Sequence, residues 1–241
     1  MADTTTVAAP RASLAEDFID IFYAPSSVFE RRRTSSPWPA ILVVTALFIV
    51  ASYISFTLLG PVIDAEMQRQ MARAAAENPG IPAEQMATMQ KFGRVSMMVG
   101  FAFFAPLAVL LLGLALWVVG KLVGAQQTLA AAFLVIAYSF MPRVLEAILG
   151  ALQAFALDVN ALPSMFSASL TPARFADPDT SQAVLALLSR LGPFVIWSYV
   201  LIAIGLRVTG RVSGQKAAVA AVALWVVATL AQVVPAMLRG G

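Results

Sequence analysis

Between Arg33 and Asp64 the chain carries no Asp, Glu, Lys or Arg, and the interval contains "PAILVVTALFIVASYISFTLLG". A helix needs about 20 apolar residues to cross the roughly 30 Å hydrocarbon core, and there it must satisfy its own backbone polar groups. That interval reads as a transmembrane helix. The same test finds "VSMMVGFAFFAPLAVLLLGLALWVVG" before Lys121, "TLAAAFLVIAYSFMPRVLEAILGALQAFAL" from Thr128, and "AAVAAVALWVVATLAQVVPAML" near the end. A fourth run, "LGPFVIWSYVLIAIGL", has 16 uncharged residues between Arg190 and Arg207, so these arginines are expected to snorkel to the interfaces. The fold class is therefore all-α: a polytopic membrane helical bundle of about five transmembrane helices, with short amphipathic N-terminal helices and an outer helical hairpin. The spans fall near 38–60, 95–119, 128–157, 188–208 and 217–238. A 1–37 segment precedes this 38–238 membrane domain. Its apolar content is broken up, and the first long run is expected to stay as an anchor rather than be cleaved as a signal.

Composition narrows the function classes. The chain is 60% hydrophobic and 12% charged, where a soluble domain carries about 25% charge. It has no cysteine and no histidine, which removes thiolates, the usual metal ligands and the near-neutral acid/base residue. No cofactor and no metal are expected. A net charge of +3, scattered over loops, makes no nucleic-acid surface. Intramembrane serine proteases want a histidine and aspartyl ones want aspartates within spans, and every aspartate here lies outside them. A non-enzymatic role is expected.

Lys and Arg near span ends set orientation. The two short loops holding Lys121, Arg207, Arg211 and Lys216 contain no acid, whereas the opposite loops mix their basic residues with Asp64, Glu66, Glu77, Glu84, Asp158, Asp177 and Asp179. This favours a cytoplasmic N-terminus and an exported C-terminus. Between the first two spans, "DAEMQRQMARAAAENPGIPAEQMATMQKFGR" predicts two short helices joined at "NPGIP", with methionine stripes at Met67/Met71 and Met86/Met89. "DVNALPSMFSASLTPARFADPD", punctuated by Pro163, Pro172 and Pro178, predicts an irregular outer-surface segment. The inner loops echo each other: "GKLVGAQQTLAAA" and "GRVSGQKAAVAAV" align Gly120 with Gly210, Lys121 with Arg211 and Gly124 with Gly214. Either two hairpins form a parallel repeat, or tight inner turns have converged on glycine and a positive residue.

Within the spans, "FMPRVLEAILG" places Arg143 and Glu146 three residues apart on one helical face, beside a Pro142 that kinks the helix. Charges at such depth cost several kcal/mol unless paired. A structural salt bridge and a binding or conduction role are both open.

Ahead of the first span, "SLAEDFIDIF" has capping-box spacing at Ser13 and Glu16, with Leu14, Phe18, Ile21 and Phe22 on one side and Glu16, Asp17 and Asp20 on the other. In "FYAPSSVFERRR", Pro25 suits the first turn of a second helix, and Val28 and Phe29 are placed to enter the membrane interface. Phe22, Pro25, Phe29, Arg31, Arg32 and Arg33 then form an interface anchor, the arginines facing lipid headgroups. "FYAPSSVFERRR" before a tryptophan-led span resembles the Phe-x-x-Pro-x-x-x-Phe-Glu motif of bacterial Yip1-domain proteins. "AYSFMPRVLEAILG" is similar to that family's Tyr-x-x-x-Pro span, "WSYVLIAIGLRVTGRVSGQKAAVAAV" to its last two helices and their basic turn, and "IPAEQMATMQKFG" to an insertion seen in bacterial members. The resemblance runs from about Leu14 to the end. It implies five spans, a cytoplasmic N-terminus and, from eukaryotic relatives, non-enzymatic proteins that associate with GTPases and with one another. The expected function is a membrane scaffold or adaptor in a bacterial cytoplasmic membrane, with lipids and a protein partner or second copy as partners; the alternative is a small lipid- or solute-handling carrier using Arg143 and Glu146.

Overall fold

The computed structural model describes residues 13–77, 83–158, 161–177 and 180–239. Arg11, the 78–82 turn, Pro178, Asp179 and the side chains of Met86 and Met89 lie outside the described residues. Among the described residues there are helices and no strands. In chain order the helices are α1 (Leu14–Asp20), α2 (Pro25–Arg32), α3 (Trp38–Leu58), α4 (Gly60–Glu77), α5 (Ala83–Leu122), α6 (Leu129–Ser139), α7 (Met141–Ala156), α8 (Gln182–Arg190), α9 (Pro193–Gly210) and α10 (Gly214–Arg239).

Five stretches are long and apolar enough to cross a membrane: Trp38–Leu58, Ala102–Leu122, Leu129–Ala156, Pro193–Gly210 and Gly214–Leu238. In the third, 56% of the most apolar window is buried, against 22% in the second, so the third span is the centre of the bundle. Helices α5, α6, α9 and α10 close a ring, each packing on the next, and α3 is added outside it against α7, α5 and α6. The end of the bundle with α1, α2 and the turns after α5 and α9 is called the near end. The far end carries α4, the 157–181 segment and α8.

Prolines set the interruptions. Pro142 has no N–H to give the carbonyl of Tyr138, and the third span breaks at Phe140 into α6 and α7, so the expected kink is present. Pro61 acts likewise, and the first span ends at Leu59 with α4 starting at Gly60. The outer hairpin accordingly differs from two free-standing short helices. Its first arm follows α3 after one residue, and its second arm is continuous with the second span in a 40-residue helix. Nothing in "QKFGRVSMMVG" stops a helix: its two glycines cost only about 1 kcal/mol each, less than the following apolar turns restore. The arms meet where Gly93 approaches Met67.

In place of hydrophobic expulsion, which is absent between helices in lipid, close packing holds such a bundle. At Gly205 a Cβ would stand 2.5 Å from a methyl of Val135 and 3.1 Å from the Phe29 ring, so only glycine lets α9 meet α6 and α2 together. The two near-end turns are tied by a hydrogen bond from the Gln126 N–H to the Gly210 carbonyl, 2.9 Å. Beneath it, buried Gln127 donates to the Leu116 carbonyl at 3.3 Å and accepts from the Thr209 hydroxyl at 3.0 Å. The turns are not copies of one geometry. The left-handed residue is Gly124 (φ 83°) in one and Arg211 (φ 54°) in the other, positions that the sequence echo does not align, and Gly214, the counterpart of Gly124, opens α10. The sequence echo is therefore not matched by an echo of turn geometry.

Candidate functional site

Two polar constellations stand out in a chain so poor in charge. The first lies toward the far end, at the break in the third span. The break sets Arg143 in the first turn of α7, where its guanidinium pairs with Glu146. Both line a cavity of about 380 Å³ shared with Phe48, Phe56, Phe166 and Thr171. Arg143 also lines a smaller cavity of about 50 Å³ with Ser139, Arg190, Ser198 and Tyr199.

Arg190 is the residue that sequence reasoning misplaced. Instead of snorkelling outward, its guanidinium turns from the end of α8 toward α9 and α10. It donates to the Tyr199 hydroxyl at 2.9 Å and, more weakly, to the Thr229 hydroxyl at 3.4 Å, with its charge over the Tyr199 ring. The Trp225 indole donates to the Arg190 carbonyl at 3.3 Å, which fastens the end of α8 to α10. The preceding segment is not a surface loop either. It makes two single-turn helices, Met165–Ala168 and Pro172–Phe175, and buries Ser164, Thr171 and Ala173 against the bundle. Close to the arginines, the Ser139 hydroxyl is buried and has no hydrogen-bond partner among the described residues.

The second constellation is the N-terminal stretch. Ser13 and Glu16 complete the expected capping box, and Pro25 opens α2. The interface anchor, however, is turned inward. Ile21, Val28 and Phe29 are fully buried in the protein core, not in lipid. Phe18 packs on Tyr138 at 5.4 Å between ring centroids and Phe22 meets Trp197 edge-on at 5.2 Å. Trp197 precedes Gly210 by 13 residues, about 20 Å along α9. The connection between α1 and α2 therefore reaches deep into the bundle, and α2 runs back beside α9 to the near end.

The charges follow from that insertion. Asp17 has no exposed surface and receives the Nε of Arg31 at 2.5 Å, the Nε of Arg32, and the Tyr138 hydroxyl at 3.3 Å. Arg31 also reaches Asp20 at 2.5 Å. Burial opposes the Arg31 charge, yet hydrogen bonds to Asp20 and Asp17 prevail and hold its pKa above the ordinary value. Two of the three arginines are thus spent on carboxylates within the chain, not on headgroups. Arg33 pairs loosely with exposed Glu30 at 3.5 Å and borders a polar cleft with Thr128 and Arg211. Asp17 and Tyr138 are the polar partners that the sequence reading left unassigned. Their signal was an acid pair and an arginine pair within 15 residues of each other.

Among the described residues no cluster of acids could hold a metal ion. The chain matches the Yip1 domain over residues 19–234. It is also 28% identical over 207 residues to the membrane protein YknW of Bacillus subtilis (strain 168), covering 85% of this chain and 83% of that one. No solved structure matches.

Proposed function

Since this chain belongs to the Yip1-domain family, we propose that it is a non-enzymatic membrane scaffold that offers the α4–α5 arm to a partner protein. The single observation behind this reading is length. At 1.5 Å per residue α5 measures about 60 Å, twice the roughly 30 Å hydrocarbon core, and α4 runs back beside its outer part. The N-terminal stretch is a poorer recruitment segment, because its apolar face and two of its arginines are engaged inside the bundle. In the proposed orientation the N-terminus is cytoplasmic, in a bacterial inner membrane, and the arm stands on the opposite side. The test is native mass spectrometry of full-length protein released gently from its own membranes, beside a form in which residues 65–92 are replaced by a short Gly/Ser turn. A stoichiometric partner chain lost with the arm, while membrane insertion persists, supports the scaffold; an unchanged complex removes it.

A second reading, a lipid- or solute-handling carrier, is favoured by the roughly 380 Å³ cavity that exposes Arg143 and Glu146 to an apolar wall. It predicts that the double change Arg143→Gln, Glu146→Gln abolishes movement of fluorescent phospholipid in proteoliposomes without loss of folded protein. Retained movement counts against it.

A further inference from the structure

The far-end chamber holds an imbalance of charge. Arg143 has Glu146 as its partner, but Arg190, on the wall of the same small cavity, hydrogen-bonds only to neutral hydroxyls among its described contacts. Two half-buried guanidiniums therefore share one carboxylate in the wall of a membrane bundle, where an uncompensated charge is costly. Beside them the Ser139 hydroxyl, buried and without a partner, lines that cavity too. A buried hydroxyl left unsatisfied in a native core calls for a group that the chain does not supply. Both deficits are met by the same thing: an oxyanion accepting from Arg190, from the free edge of Arg143 and from Ser139.

We propose that this chamber binds a phosphate oxyanion between Arg143 and Arg190, carried by a membrane lipid or free in solution. Planar guanidiniums match phosphate oxygens in paired hydrogen bonds, which a lone ammonium could not do. The adjoining cavity, walled by Phe48, Phe56 and Phe166, continues from Arg143 and suits the acyl chain of an anionic phospholipid. Glu146 sets the affinity by competing for Arg143. Binding does not require transport, so it stands under either reading of function.

The test uses the full-length detergent-purified protein offered equal amounts of phosphatidylglycerol and phosphatidylcholine, with retained lipid counted by native mass spectrometry. A parallel arm follows the thermal unfolding midpoint of the lipid-free protein against inorganic phosphate. Wild type is expected to retain the anionic lipid preferentially. Losing charge-assisted hydrogen bonds in Arg190→Gln should cut that preference by about tenfold or more, and Ser139→Ala by about two- to tenfold. Glu146→Gln should raise it, since Arg143 is released. A loss in Ser139→Ala together with opposite signs for Arg190→Gln and Glu146→Gln distinguishes a binding site from a structural Arg143–Glu146 ion pair, under which Arg190→Gln and Ser139→Ala would leave the preference as it was. Should Arg190→Gln not fold, Ser139→Ala and Glu146→Gln carry the comparison. Stabilisation by inorganic phosphate with no lipid preference assigns the site to a soluble anion. Equal retention of the anionic lipid by all three variants, as the basic near-end turns alone would give, overturns the proposal.

Discussion

Replacing Asp17 by asparagine removes one charge and almost no volume, and the structure says what should follow. Asp17 is fully buried and neutralises Arg31 and Arg32 while accepting from Tyr138. Breaking a fully buried ion pair costs about 3–5 kcal/mol. The two guanidinium side chains are 32% and 24% exposed, so they recover part of their hydration, which lowers the cost to about 2–3 kcal/mol. Since every 1.4 kcal/mol is tenfold, opening of the α1–α2 hairpin should become roughly 30 to 150 times more frequent. Hydrogen exchange in lipid nanodiscs reads this directly: amides of Ser27–Arg32 should exchange faster by that factor, while those of Ala132–Ala137 in the central span stay as they were. If the arginines were instead held by headgroups, losing a nearby carboxylate would strengthen that hold and slow exchange. Unchanged or slower exchange of α2 therefore refutes the inward-turned arrangement.

Two further substitutions probe packing and pairing. Gly205→Val should lower stability in an SDS-unfolding titration by about 2 kcal/mol or more, because even the first added carbon lands 2.5 Å from Val135; Gly150→Ala, with nothing within 4 Å, should hold or gain up to about 1 kcal/mol. Arg143→Gln alone, which leaves Glu146 charged and unpaired, should destabilise more than Arg143→Gln with Glu146→Gln; a double variant as unstable as the single would show that the pair is not what the charges serve.

The spans were legible because hydrocarbon thickness imposes a length that few sequences meet by chance. Four charge-free intervals, and the run from Thr128 that holds Arg143 and Glu146, became five membrane-length helical stretches, and the Pro142 break and the Ser13–Glu16 capping box came through as local chemistry dictates. What local reading could not give was the partner of each polar group. "FERRR" next to a span looks the same whether its arginines meet phosphates or an aspartate. Only tertiary contact, with Gly205 making room for Phe29 and Tyr138 placed opposite Asp17, decides between them. Arg190 was misread for a related reason: it bounds the uncharged run in sequence, but its side chain is held between α9 and α10 by Tyr199 and Thr229. The carboxylate–arginine pair at 143 and 146 was visible because a helix fixes which residues three apart must meet.

The 40-residue α5 has Pro106 inside it, 23 residues past its start at Ala83. The proline deletes the hydrogen bond to the Ala102 carbonyl, so the rod is least stiff there. The outer portion, 83–101, is about 28 Å long, and a swing of about 10° there carries its tip through about 5 Å. Such a displacement exceeds the shifts that separate a seated side chain from an unseated one. A small bend at Pro106 is thereby geared up into a large displacement at the tip, the geometry of a lever whose fulcrum is a proline.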